Sequence, residues 1–172
     1  PAYTNNGVTC NGTPRSFTIT VNPTATVTAT PSSQTVCSAT PITTIVLSGN
    51  GVAGVVYSWT RDNNATVTGI AASGTGNISG SLTNTTFAPI TVTFTITPSY
   101  TNAGVTCTGT PITATVVVNP IPNAVATPSS QTICNNTAIT TIVLTGNVAG
   151  TVYNWTRDNN VLVTGMPASG TG

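Results

Sequence analysis

Ile90 to Thr97 reads ITVTFTIT, with Ile90, Val92, Phe94 and Ile96 alternating with Thr91, Thr93, Thr95 and Thr97. Successive side chains of an extended chain point to opposite faces. A period of two between apolar and hydroxyl residues therefore marks a strand with one buried face and one wet face. Val55, Tyr57 and Trp59 alternate with Val56, Ser58 and Thr60 in the same way. Between Gly, Pro and Asn punctuation, strands are expected at about 24–30 (continued at 34–37), 42–48, 55–61, 65–70 as the neighbour of 55–61, 77–83, 90–99 and 112–119. Composition agrees: Thr supplies about 40 of the 172 residues, and Glu, Lys and other good helix formers are absent or scarce. The expected fold class is all-β.

The chain also repeats itself. VNPTATVTATPSSQTVCSATPITTIVLSGN (Val21 to Asn50) returns as VNPIPNAVATPSSQTICNNTAITTIVLTGN (Val118 to Asn147), which places Cys37 on Cys134, 97 residues later. VVYSWTRDNNATVTGI returns as TVYNWTRDNNVLVTGM, with Trp59 on Trp155 at an offset of 96 because GNGVAG carries one extra glycine. The opening PAYTNNGVTCNGTPRSFTITVNP matches PSYTNAGVTCTGTPITATVVVNP, with Cys10 on Cys107. A period near 97 residues is too long for a solenoid coil and suits one immunoglobulin-like β-sandwich of about 100 residues. The expected division is the C-terminal part of one repeat at 1–22, a complete repeat at 23–119, and the N-terminal part of a third at 120–172, an excerpt of a longer array. Asn22-Pro23 and Asn119-Pro120 mark the joints, where proline fixes φ and stiffens a short linker. An inward Trp59, burying about 150–250 Å², is the expected plug between the two sheets. Tyr57 and Phe94 join it in the core, as do Tyr153 and Trp155 in the third repeat.

Three Arg (Arg15, Arg61, Arg157), two Asp (Asp62, Asp158) and no Lys, Glu or His leave little for chemistry. General acid-base catalysis needs titratable groups, and metal sites need clustered His, Cys or carboxylate ligands. No catalytic residue, metal site or cofactor is expected. The near-zero net charge gives no footprint for nucleic acid, and no apolar run approaches the roughly 20 residues of a membrane span.

The cysteines Cys10, Cys37, Cys107 and Cys134 show no metal-ligand spacing and have no base beside them, so disulfides in an oxidising compartment are expected. Two pairings are open. Cys37 with Cys107 closes a single repeat, but the turns that carry them belong to opposite ends of a sandwich, whereas bonded Cα atoms lie about 4.4–6.8 Å apart. A staple between neighbouring repeats meets the geometry, and it places the partners of all four outside these residues. The threonines of 90–97, beside Thr113 and Thr115, form a hydroxyl face that reads first as a solvated strand surface. Arg61-Asp62 and Arg157-Asp158 fall in a TRDNN turn, where an exposed ion pair is worth at most about 1 kcal/mol.

The pattern ATPSSQTVC…PITTIVLSGN…VYSWT…ITVTFTITPSYTNAGVTCTGTPITATVVVNP resembles the PKD-like, Ig-like repeats of very large Bacteroidetes surface proteins, among them gliding-motility adhesins and type IX secretion substrates. The most specific marks are the segment around Cys37, the Tyr57-Ser58-Trp59 triplet and the run from Val105 to Thr113. WTRDNN stands where a standard PKD domain has a tryptophan-aromatic-glycine-aspartate turn. The resemblance implies a secreted, cell-surface or filamentous role. The expected function is thus a structural stalk, filament or adhesin region, not an enzyme. Its expected partners are neighbouring repeats of the same chain, other copies in a bundle, and surface glycans. The alternative, from another class, is a module that itself binds glycan or ice through its Thr faces.

Overall fold

The computed structural model describes residues 1–159 and 161–172, among which every regular element is a strand. β1 (Ala2–Asn5) and β2 (Val8–Asn11) form an exposed hairpin. Ten strands follow: β3 (Thr28–Thr30), β4 (Ser33–Cys37), β5 (Val46–Ser48), β6 (Val56–Arg61), β7 (Val67–Thr68), β8 (Ser73–Thr75), β9 (Thr83–Asn84), β10 (Ile90–Asn102), β11 (Val105–Thr108) and β12 (Ile112–Asn119). The last four are β13 (Val125–Thr127), β14 (Val143–Thr145), β15 (Asn154–Thr156) and β16 (Ser169–Thr171).

The larger sheet runs in the order β4-β12-β10-β6-β8, with β11 extending β10. Its centre is the alternating stretch Ile90 to Thr97. β10 pairs antiparallel with β12 on one side and β6 on the other, and β4 adds a parallel edge to β12. The facing layer is built from the β3–β5 and β7–β9 pairs. Reciprocal backbone bonds between Ile45 and Ile78 (2.8 and 3.0 Å) join its two halves. Val92, Phe94, Ile96, Ala114, Val116 and Val118 from the first sheet meet Ile42, Ile45, Leu47, Ile78 and Leu82 from the second. This is an Ig-like β-sandwich, and every member of its buried cluster falls between Val27 and Val118.

Trp59 is 8% exposed and Phe94 fully buried, with ring centroids 5.7 Å apart at 75°. That edge-to-face packing suits the aromatic quadrupoles. The indole lies flat across Gly74, its register partner on β8, and donates from Nε1 to the carbonyl of Gly76 (3.1 Å). A Cβ on Gly74 would stand 2.3 Å from the indole ring, so only glycine admits the close approach. Gly170 lies under Trp155 in the same way. The word ASGTG, at 72–76 and again at 168–172, is the sequence trace of this device. Tyr57 packs half-buried at the edge of the core, and Tyr153 and Trp155 are half-buried too.

Two expected elements are placed differently. The strand expected at 65–70 beside 55–61 is reduced to β7, which belongs to the facing layer through β9, and β8 is the strand that flanks β6. Gly69 has φ +110° and its Cα lies against the carbonyl of Ser81, so the chain turns away before the segment reaches β6. The strand expected to stop at 99 runs on to Asn102 and returns as β11. Ala103 and Gly104 both have positive φ, as a two-residue hairpin turn requires. Asn6-Gly7 in the matching β1–β2 hairpin is the stronger form of that signal.

Candidate functional site

Cys37 is the last residue of β4 and stands in register opposite Asn119, the last residue of β12. Its position is held by the next turn, where Ser38 N donates to the carbonyl of Asn119 (2.8 Å) and Thr40 N to that of Cys37 (3.1 Å). Cys107 lies on β11 opposite Tyr100, beyond the other end of the sandwich. β10 connects the two ends: Ile90 pairs with Val118 near Cys37, and Tyr100 pairs with Cys107. Ten residues of extended chain span about 33 Å. A Cys37–Cys107 bond within one repeat is therefore excluded by distance. Cys10, Cys37 and Cys134 are exposed and Cys107 is half-buried, all as free thiols.

The β10–β11 hairpin projects past the sandwich toward Asn22. Asn22 Nδ2 donates to the carbonyls of Asn102 (3.4 Å) and Val105 (3.3 Å), and Asn102 Nδ2 donates to Asn22 Oδ1 (3.0 Å). Asn22 thus docks on the hairpin turn, two positions from Cys107. Below it, Ala25 is buried with its carbonyl against Gly109, so the chain enters the sandwich in close backbone contact.

The TRDNN turn is a structural clasp. Its charges bond the backbone rather than form an exposed ion pair. Arg61 is 8% exposed. Its Nε donates to the carbonyls of Ile70 (2.8 Å) and Ala71 (3.1 Å), and its Nη1 to those of Val67 (3.0 Å) and Asp62 (3.3 Å). Asp62 Oδ1 accepts from Thr93 N (2.7 Å), and Asn63 Nδ2 donates to the carbonyl of Thr91 (2.7 Å). Burial lowers the guanidinium pKa below its ordinary value, and the nearby Asp62 charge partly restores it. Arg157 repeats the clasp in a more exposed setting, donating to Val163, Met166 and Pro167. Asn160, the last residue of that second TRDNN, lies outside the described residues.

Trypsin has three sites in the chain, and their settings differ. Arg15 lies in an exposed stretch without strand, Arg157 is half-buried, and Arg61 is enclosed. Cleavage requires several residues to leave the fold. Limited digestion followed by mass spectrometry should yield residues 16–172 first and 16–157 next, with the Arg61-Asp62 bond surviving longest. Early cutting at Arg61 would contradict the clasp.

The outer face of the larger sheet carries hydroxyls in rows: Thr75, Ser58 and Thr97 in one, and Ser73, Thr60, Thr95 and Thr113 in the next. Neighbouring strands of a sheet rotate by about 20–25°, so four strands turn the row by roughly 60–75°. The rows therefore follow the twist of the sheet and stand open to solvent. Among the described residues no three His, Cys, Asp or Glu side chains gather as a metal site. Among the described residues no helix is long and apolar enough to cross a membrane.

A family model described as a PKD-like domain matches residues 34–122, more than half of the chain. The match begins at the second residue of β4 and ends just past the Asn119-Pro120 step, so it takes in all of the larger sheet but Ser33. No curated protein and no solved structure matches the chain.

Proposed function

Because the chain belongs to the PKD-like domain family, we propose that it is a structural repeat region of an extracellular stalk, filament or adhesin, in which tandem sandwiches carry a binding element away from the cell. PKD-like domains are generally non-enzymatic, and they are typically extracellular. The observation that carries the reading is the docking of Asn22 on the β10–β11 hairpin, a contact that belongs to the joint rather than to either core. A joint with its own hydrogen bonds and a proline on its far side makes a string of sandwiches stiffer than one joined by free linkers.

The division into repeats at 22/23 and 119/120 is supported by what the same residues do in different copies. Phe17, Ile19 and Val21 are 78–85% exposed, while their counterparts Ala114, Val116 and Val118 are fully buried on β12. Ile139 and Ile142 are open to solvent, whereas Ile42 and Ile45 lie in the core. β13 pairs with β14 through Ala126 and Leu144, as β3 pairs with β5 through Ala29 and Leu47. Partial repeats keep their local pairings and leave apolar faces uncovered, as expected when the strands that would cover them belong to the rest of a repeat.

Small-angle scattering on chains with increasing numbers of residues 23–119 in tandem tests the stalk. The maximum dimension should rise by a constant increment of about 40 Å per copy, the length of β10 at its 13 residues. Antibodies to the same residues should label intact, unpermeabilised source cells. A dimension that levels off as copies collapse on one another, or labelling only after permeabilisation, would remove the stalk reading.

A further inference from the structure

The complete repeat at 23–119 presents one cysteine at each end, and the joint brings two different ends together. Asn119 closes β12 in register with Cys37. Asn22 is the residue at the Asn119 position of the preceding repeat, 97 residues earlier in the same VNP word. In a tandem array, the preceding repeat's counterpart of Cys37 therefore stands beside Asn22. Asn22 is itself hydrogen-bonded to Asn102 and Val105, the turn that leads directly into Cys107. One asparagine thus touches the strand end of one cysteine and the hairpin turn of the other. The Cys37-type thiol is exposed and fixed by its turn, and the Cys107-type thiol sits on a hairpin reaching toward it.

We propose that, in the tandem array, the cysteine at the Cys37 position of each repeat forms a disulfide with the cysteine at the Cys107 position of the repeat that follows, closing every joint covalently. The proposal rests on the stalk reading above, since it needs successive repeats in one chain. The oxidant is a disulfide-bearing compound or protein of the oxidising compartment. One cysteine thiolate attacks its S–S bond and releases one thiolate, giving a mixed disulfide. The second cysteine thiolate displaces the other, so the new S–S bond forms as the oxidant takes up two electrons and, with two protons, becomes a pair of thiols. Tension along the stalk then passes through a covalent bond at each joint instead of three hydrogen bonds around Asn22.

The test uses the full 172-residue chain followed by a second copy of residues 77–119, which continues from Gly172, the counterpart of Gly76, and completes the third repeat. It holds five cysteines, the four native ones and one from the added copy. After oxidation by glutathione disulfide, thiols are titrated in denaturant without reductant, and the species is sized by non-reducing electrophoresis. A monomer with three free thiols is expected, its bond joining Cys37 to the added cysteine. Cys37→Ser should then leave all four remaining thiols free, while Cys134→Ser should leave two free. One free thiol means pairing inside each repeat, five mean no bond, and covalent dimers mean pairing between chains; each overturns the proposal. Near- and far-ultraviolet circular dichroism of the same samples shows whether the sandwiches are intact. Free thiols on folded, extended chains would remove the staple and leave the stalk, whereas compact or unfolded chains would remove the stalk itself.

Discussion

Phe94→Ala lowers the stability of the sandwich by about 3–5 kcal/mol, the cost of deleting a large buried aromatic and leaving its cavity. Phe94 is fully buried on the central strand of the larger sheet, with Ala114 opposite it on β12 and Arg61 opposite it on β6. β10 is held by ladders on both sides, so the backbone has little freedom to collapse into the space. The edge-to-face contact with Trp59 disappears as well, worth about 0.5–1.5 kcal/mol of that total. Urea unfolding followed by Trp59 fluorescence should show a lower midpoint with an unchanged slope. Thr95→Ala, one residue away on the exposed face, should cost less than about 1 kcal/mol. Equal losses from the two substitutions would mean that the alternation in ITVTFTIT does not report burial.

Arg61→Met should cost about 2–4 kcal/mol, although it keeps most of the aliphatic stem. Each hydrogen bond from a charged donor contributes roughly 1.5–3 kcal/mol, and a buried carbonyl left without a partner costs about 1–3 kcal/mol. Four carbonyls lose a donor here, those of Ile70 and Val67 in buried surroundings. Relief from holding a guanidinium out of water offsets part of the loss, which keeps the net below the sum. Arg61→Lys should restore little of it, because an ammonium cannot serve the planar fork that reaches carbonyls on both sides of the loop. Arg157→Met should cost under about 1 kcal/mol, since water replaces the lost donor at its exposed partners. Similar losses at the two arginines would show that burial is not what gives Arg61 its weight. Both values come from equilibrium unfolding of the full chain.

Most of the architecture is legible in the sequence. Strands hydrogen-bonded on both edges with one face in the core leave a period-two record, and β10, β6 and β12 fall where that record is cleanest. The expected strand at 24–30 contracts to β3, although Ala25 and Val27 still bury their side chains. Alternation reports burial, and burial does not require a ladder. The strand expected at 65–70 went to the facing layer, because alternation says that a segment has an inner face and not which sheet supplies its partner.

What the sequence determined by itself was the all-β class, the 97-residue period and the inward face of the central strands. These are properties of near neighbours in the chain, or of one copy compared with the next. Tertiary structure alone decided the rest. It turned Arg61 from an exposed charge into a buried clasp, because its four carbonyl partners converge only when the loop folds back over β6. It set Gly74 under Trp59, because two strands had to pair in one register before a missing Cβ mattered. It also put Asn22 against the hairpin that carries Cys107. Residues 80 or more positions apart meet there through strand order, which local residue preferences do not encode.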